Sequence, residues 1–354
     1  MRLQILQLLL SLVTIFFLGG LLVTLTWFKF NKDVESYQQP LHKKSVPVFS
    51  ECKNCSKIIT NIAKRYAQPW KKKKGNYQKF SSLLNSKCHG AENAIVTQKN
   101  TPLGSKIVYS AEPKKKTIEV TTDLFSTFPK KHPFSNKKWD TCSMVGNGGI
   151  LINSKCGKQI DSAQFVIRCN IPPLEGELQR DVGKKTNFVT ANPSIFIEKF
   201  SSLKNHTRPF VESLRHFGDA MLFLPTFALT FNTPVCQRAV QAIKDLNSPV
   251  RPVSFNPEYI RNLSLHWRSQ GLKEARLSTG FLMVNVALEL CNSVDLYGFW
   301  PFGFHPHNCC PLTNHYYDNR LPSKKTHSMP EEFKHLLKLH SRGILRIHLG
   351  DCGQ

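Results

Sequence analysis

Two histidines, His315 and His327, stand twelve residues apart in the loop-like segments Asn314-His-Tyr-Tyr-Asp-Asn319 and His327-Ser-Met-Pro-Glu-Glu332. Imidazole titrates near neutrality, so such a pair suits general acid–base chemistry; two plain surface histidines are the competing reading. A second constellation is Thr141-Cys-Ser-Met-Val-Gly-Asn-Gly-Gly-Ile150, an apolar run entering a glycine-rich turn. Glycines there let backbone N–H groups approach an anion, and Asn147 adds a neutral donor. The pattern is not the dinucleotide fingerprint, and an ordinary turn also explains it. Asn170 stops a second apolar run ahead of Pro172-Pro173, so two asparagines at two strand ends can face one crevice. In Arg276-Leu-Ser-Thr-Gly-Phe281, Ser278 or Thr279 is a natural helix N-cap and Gly280 opens the first turn. That helix start offers N–H groups and positive dipole to an anion, although an ordinary capped core helix has the same signature. The aromatic loop Asp295-Leu-Tyr-Gly-Phe-Trp-Pro-Phe302 suits stacking on a base or sugar, or filling core. No Asp-x-Asp triplet occurs, so a metal-bridged sugar nucleotide lacks its usual ligands.

These residues need elements to position them. Apolar runs recur at 142–145, 165–169, 188–190, 220–224 and 294–297, separated by segments long enough for helices. That alternation predicts a parallel sheet covered on both faces. The run 281–291 is apolar nearly all round, with Asn285 and Glu289 as its polar pair, and predicts a buried helix. Residues 61–96 read as helical pieces broken at Pro69 and Gly75, and 106–110 as a strand.

The chain's ends and composition bound the compartment. Residues 3–28 carry no charge and exceed the roughly 20 positions a membrane-spanning helix needs. They read as an uncleaved signal anchor rather than a cleaved signal peptide. Eleven cysteines favour an oxidising compartment or metal sites, but Cys52-x-x-Cys55 lacks a second such pair and Cys309-Cys310 are adjacent. An odd count leaves a thiol free or paired between chains, which admits a homodimer. Sequons at Asn54, Asn205 and Asn262 point to a lumenal body. The net charge is +24, and residues 1–141 hold 24 Lys and Arg against 8 Asp and Glu. A solvated basic stem is the plain reading and attraction of anionic substrates the functional one; lumenal topology removes nucleic acid as a partner.

Four blocks together resemble, in order and spacing, the motifs of the animal sialyltransferases. Residues 142–193 resemble the large motif, with Val-Gly-Asn-Gly-Gly, Cys-Gly-Lys-Gln-Ile-Asp, Ile-Arg-Cys-Asn and Asp-Val-Gly in place. Residues 277–302 resemble the small motif, 315–319 the third and 327–332 the very small one. Arg-Cys-Asn and Tyr-Gly-Phe-Trp-Pro-Phe are similar to the alpha-2,8 branch. Pro69-Trp-Lys, Asn100-Thr-Pro-Leu-Gly and Asn192-Pro-Ser-Ile are most similar to its type VI subgroup.

The resemblance implies a Rossmann-like, GT-A-like variant α/β fold with a mostly parallel sheet flanked by helices. Its organisation would be a tail and anchor at 1–28, a stem at 29–92 and a lumenal catalytic domain at 93–354. The location implied is the Golgi membrane, single-pass type II. The expected activity is inverting transfer from CMP-sialic acid to sialylated glycoprotein or glycolipid acceptors, with no metal and no cofactor. His327 would be the base and His315 would donate to the departing phosphate. Asn147, Asn170, Ser278, Thr279, Gly280, Trp300 and Asn314 would bind donor, and Asn192 would contact donor or acceptor. The resemblance also implies disulfides Cys142 with Cys291 and Cys156 with Cys352, with Cys169 buried and free. Cys52, Cys55, Cys88, Cys236, Cys309 and Cys310 fall outside that pattern. The rival readings are a ganglioside-specific enzyme, a polysialic-acid-forming enzyme and an inactive sialoglycan-binding relative.

Overall fold

The computed structural model of the protein describes residues 19–21, 24, 53–66, 68–134, 138–273, 276–318 and 329–353. The chain divides into two units, 1–51 and 52–354. In the first, residues 19–21 and 24 are helical, and the Thr24 hydroxyl donates to Gly20 O at 3.0 Å. The rest of the expected anchor lies outside the described residues. Among the described residues no helix is long and apolar enough to cross a membrane.

The second unit begins with α1 (Lys53–Tyr66) and α2 (Lys74–Cys88), the antiparallel pair β1 (Lys106–Val108) and β2 (Thr117–Glu119), and α3 (Thr122–Ser126). Strands and helices then alternate through β3 (Trp139–Val145), α4 (Gly157–Ser162), β4 (Phe165–Arg168), α5 (Leu178–Val182) and β5 (Phe188–Thr190). The middle holds α6 (Pro193–Glu198), α7 (Thr207–Glu212), β6 (Met221–Leu224), α8 (Asn232–Asp245) and β7 (Arg251–Ser254). The chain ends through α9 (Pro257–Ser269), α10 (Thr279–Leu290), β8 (Cys291–Tyr297), α11 (Met329–Ser341) and β9 (Arg346–His348).

Strands β3 to β9 form one sheet in the order β7-β6-β5-β4-β3-β8-β9, and every neighbouring pair is parallel. Side chains alternate across it: Met144, Ile167, Phe188 and Phe223 enter one apolar cluster, while Val145, Val166, Val189 and Leu222 enter another. Burial on both faces is why the inner strands read as continuous apolar runs. The two strands that give no such signal, β7 and β9, are the sheet's edges. Pro252 sits in β7, where an edge tolerates its missing N–H.

The compact body begins earlier than the expected boundary at residue 93. Tyr77, Phe80, Leu84 and Cys88 of α2 are buried in the core. Tyr77 Oη donates to Leu288 O at 2.7 Å, and Trp70 Nε1 donates to Leu345 O at 3.0 Å. The lysine run 71–74 disguises these helices as stem, because charge conceals a sparse apolar stripe.

Helix α10 runs through the core with residues 281–290 all buried. Its two polar side chains are met by α9: Trp267 Nε1 donates to Asn285 Oδ1 at 3.0 Å and Tyr259 Oη to Glu289 Oε1 at 2.6 Å. Burial pushes the Glu289 carboxyl up to about 7. Both disulfides implied by the resemblance are present. Cys142–Cys291 joins β3 to the junction of α10 and β8, and Cys156–Cys352 holds the C-terminal segment against the start of α4.

Candidate functional site

Asn147, Asn170 and Asn192 follow β3, β4 and β5, three adjacent strands, at their C-terminal ends. Hydrogen bonds link them in sequence. Asn147 Nδ2 donates to Cys169 O at 2.9 Å, and Asn192 N donates to Asn170 Oδ1 at 2.9 Å. Asn170 holds this position with φ 66°, a left-handed conformation that asparagine tolerates well. Asn147 Oδ1 is buried and has no hydrogen-bond partner among the described residues. A ligand hydroxyl or amine there would satisfy a group that is costly to leave bare.

The glycines beside Asn147 have a role the sequence does not reveal. A Cβ on Gly148 would lie 2.5 Å from Gly298 O, and one on Gly149 would lie 2.4 Å from Thr313 O. They let the turn press against the loops that follow β8. Two bonds fix that contact: Gly148 N donates to Gly298 O at 3.0 Å and Tyr316 N to Asn147 O at 2.9 Å.

The start of α10 reaches the same edge. Ser278 caps it, accepting from Phe281 N at 3.1 Å. Thr279 Oγ1 donates to Asn192 Oδ1 at 3.0 Å, so the helix start joins the asparagine chain. Gly280 leaves room for the Phe299 ring, which a Cβ would meet at 3.1 Å. The first-turn N–H groups have no partner within a helix and carry its positive dipole, which suits a phosphate. Ser278 itself is buried, and its hydroxyl and N–H both donate to Glu332 of α11, the latter at 2.6 Å. Its hydroxyl proton is thus spent on Glu332, and in this arrangement Ser278 orients the helix start instead of donating to an anion. Glu332 is 3% exposed. In the sequence the available signal was only its place in the first turn of a helix that opens with Met-Pro.

His315 lies in the loop pinned to Asn147. Its Nδ1 is 2.7 Å from Asp318 Oδ2. The carboxylate only accepts, so Nδ1 carries the proton and Nε2 is left for exchange. Asn314 Nδ2 lies 3.2 Å from Nε2, and the Tyr317 ring stacks on the imidazole at 5.1 Å. Asp318 was not singled out from sequence, although Asn314-His-Tyr-Tyr-Asp contains the pair at i, i+3. Beneath the loop, Tyr316 Oη donates to Pro173 O at 2.7 Å. Arg168 is wholly buried and donates to Val182 O, Lys185 O and Thr186 Oγ1.

Trp300, expected to border a nucleotide, lies at the base of the aromatic loop. It is 6% exposed, its Nε1 donates to Phe304 O at 2.8 Å, and Phe302 and Phe333 meet it edge-on. The ring therefore supports the aromatic loop from within. His327 lies outside the described residues, as does Asn319. Of the sequons, Asn205 is exposed ahead of α7, Asn262 is half-buried within α9, and the side chain of Asn54 lies outside the described set. Cys169 is a buried thiol pushed up to about 12 by burial; among the described residues Cys88 and Cys236 are also buried and free, and Cys309 and Cys310 are exposed and free.

A family model, glycosyltransferase family 29 (sialyltransferase), matches residues 95–344. The chain belongs to this family. Among curated relatives of this sialyltransferase, mouse alpha-2,8-sialyltransferase 8F is 39% identical over 88% of this chain and 82% of its own length. Human alpha-2,8-sialyltransferase 8E is 44% identical over 77% of this chain and 72% of its own. A crystal structure of a mammalian sialyltransferase aligns with TM-score 0.47 at 24% identity, over 81% of this chain and 91% of that one.

Proposed function

We propose that this family 29 sialyltransferase is an alpha-2,8-sialyltransferase, moving sialic acid from CMP-sialic acid to the 8-hydroxyl of a terminal sialic acid on a glycoprotein or glycolipid glycan. The observation that carries the reading is 39% identity to a protein named alpha-2,8-sialyltransferase, across 88% of the chain. The geometry supports the chemistry. In the proposed step the acceptor oxygen attacks C2 of the donor and loses its proton to His327. The C2–oxygen bond to CMP breaks with inversion, leaving negative charge on the phosphate. His315, protonated and backed by Asp318, gives Nε2–H to that phosphate, beside the N–H groups of Thr279 and Gly280. Asn147 and Asn170 hold the nucleotide, and Ser278 acts through the helix cap. Charge stabilisation by these groups lets the reaction run without a metal, in keeping with the missing Asp-x-Asp triplet. The uncharged segment 3–28, the sequons and the disulfides support a Golgi type II membrane protein with this body in the lumen.

The test is transfer by the purified, detergent-solubilised protein from CMP-sialic acid to sialylated O-glycan, N-glycan and ganglioside acceptors, with linkage analysis of the product. An alpha-2,8 bond is expected, with full activity in EDTA. Product on asialo acceptors alone, or activity abolished by EDTA and restored by manganese, overturns the reading. His327→Ala should fold normally and lose transfer by about 10²-fold or more, the usual worth of a general base.

A further inference from the structure

Away from the asparagine turns, helices α2, α9 and α11 meet around Trp267 and leave a cleft of about 200 Å³. It shares no lining residue with the Asn147 turn, the α10 start or the His315 loop. Its floor is rigid. Trp267 is 3% exposed, its Nε1 is bound to Asn285, and Phe80 and His335 pack against its ring at 6.1 and 5.2 Å. Leu83, 40% exposed, adds an apolar side chain to the lining.

The charge of this cleft is all of one sign. Lys79 of α2, Lys338 of α11 and Arg342 just beyond α11 line it, and no carboxylate does among the described residues. All three cations are exposed, and among the described residues none has an ion-pair partner. Glu331, one turn before His335, is paired with Lys334 at 2.6 Å, and Glu332 accepts from Ser278. The two lining histidines, His266 and His335, are buried. Burial pulls both imidazoles down, and Lys87 and Lys338 push them the same way. They stay neutral at neutral pH, so the three cations carry the charge.

A helix C-terminus favours cations, which accounts for Lys338 in the last turn of α11. It does not account for Lys79, which lies within α2. Nor does it explain Arg342, whose N–H bonds Lys338 O at 3.1 Å and so holds a second cation one turn further on, a like-charge spacing that weakens a helix. Like charges gathered over a low-dielectric floor focus a positive field, and a compact anion relieves it. Guanidinium and ammonium donors suit an oxyanion, and the carbons of Leu83 and Phe80 suit a ring or chain that carries one.

We propose that this cleft is a second ligand site of the protein, taking a sulfate or phosphate group with Arg342, Lys338 and Lys79 as its donors. The site is independent of the donor half and of the linkage formed there.

Calorimetric titration of the full-length, detergent-solubilised protein tests this, with CMP at saturation so that the donor half cannot take the probe. Inorganic sulfate, inorganic phosphate and galactose 6-sulfate are the probes, at constant ionic strength, and galactose is the neutral control. One equivalent of oxyanion should bind, and galactose should give no heat. Lys338→Gln and Arg342→Gln should each weaken binding about tenfold, the worth of one charge-assisted hydrogen bond, and the double variant should abolish it. Both side chains are exposed, so their loss leaves folding intact, and CMP affinity should stay within about twofold. Lys71→Gln combined with Lys74→Gln removes two exposed charges from the neighbouring run, outside the lining, and should change oxyanion affinity less than about twofold. Tighter binding of galactose 6-sulfate than of sulfate assigns an ester as the ligand; the reverse order or equality assigns the free ion. No binding of any of the three anions, or undiminished binding in the double variant, overturns the site. An equal loss in the Lys71→Gln, Lys74→Gln control would overturn it too, because diffuse surface charge would then be the cause.

Discussion

His315 has a direction because Asp318 accepts a hydrogen bond from its Nδ1–H at 2.7 Å, leaving Nε2 for the phosphate. Asp318→Asn should therefore lower kcat by about 10- to 100-fold, a part of the usual worth of acid–base catalysis. The donor KM should change little, and a donor titration at saturating acceptor measures both. Glu332 acts one step further from the chemistry. Glu332→Ala strands two buried Ser278 donors, at about 1–3 kcal/mol each. A fall in Tm of about 5–10 °C is expected in a thermal melt, with weakened CMP binding. Adding Ser278→Ala to that variant should cost far less than Ser278→Ala alone, because the partners act as one unit.

At the scale of elements, α10 carries a carboxyl at Glu289 whose burial raises it from 4.5 to about 7. The folded state then binds more protons than the unfolded state between those values. Glu289 therefore makes stability fall as pH rises through that window, and its contribution is constant above it. The buried histidines oppose this. His340, pulled down to about 4 by burial and Arg346, stays neutral while its unfolded form protonates, so its contribution is lost as pH falls below about 6.5. The difference between Glu289→Gln and wild type isolates the carboxyl. From pH 5 to pH 8 the variant should gain about 2–3 kcal/mol on wild type, read from denaturant midpoints at each pH. A parallel pair of curves would mean that Glu289 ionises normally.

For the whole molecule, the Cys142–Cys291 bond closes a span of 149 residues and fixes β3 against the α10–β8 junction. Chain entropy alone assigns such a closure about 5 kcal/mol. It also holds the Asn147 turn and the α10 start in one register. Cys142→Ser and Cys291→Ser should each abolish CMP binding and transfer, and the double variant should be no worse than either. Non-reducing peptide maps of wild type should show the two cysteines linked. A free thiol at either position in active protein would contradict this.

What the sequence determined by itself was whatever is local. Apolar runs marked the inner strands, because a strand buried on both faces has no polar positions. Asn285 and Glu289, isolated on an apolar run, marked α10 as buried. Asn147, Asn170, Ser278, Thr279 and His315 stood out by type and position, and family resemblance supplied Asn192 and the two cysteine pairs. Tertiary structure decided what each residue touches. The edge strands β7 and β9 exist because the sheet offers them a neighbour, with little apolar signal of their own. Helices α1 and α2 join the body through contacts with α11 and α10, hundreds of positions away: Tyr66 stacks on His340 and Tyr77 donates to Leu288 O. The glycines of the turn answer to Gly298 and Thr313, Trp300 turns inward to Phe302 and Phe333, and Ser278 donates its hydroxyl hydrogen bond to Glu332. Such partners are distant in the chain, and only the packing of the sheet and its helices brings them within hydrogen-bond reach.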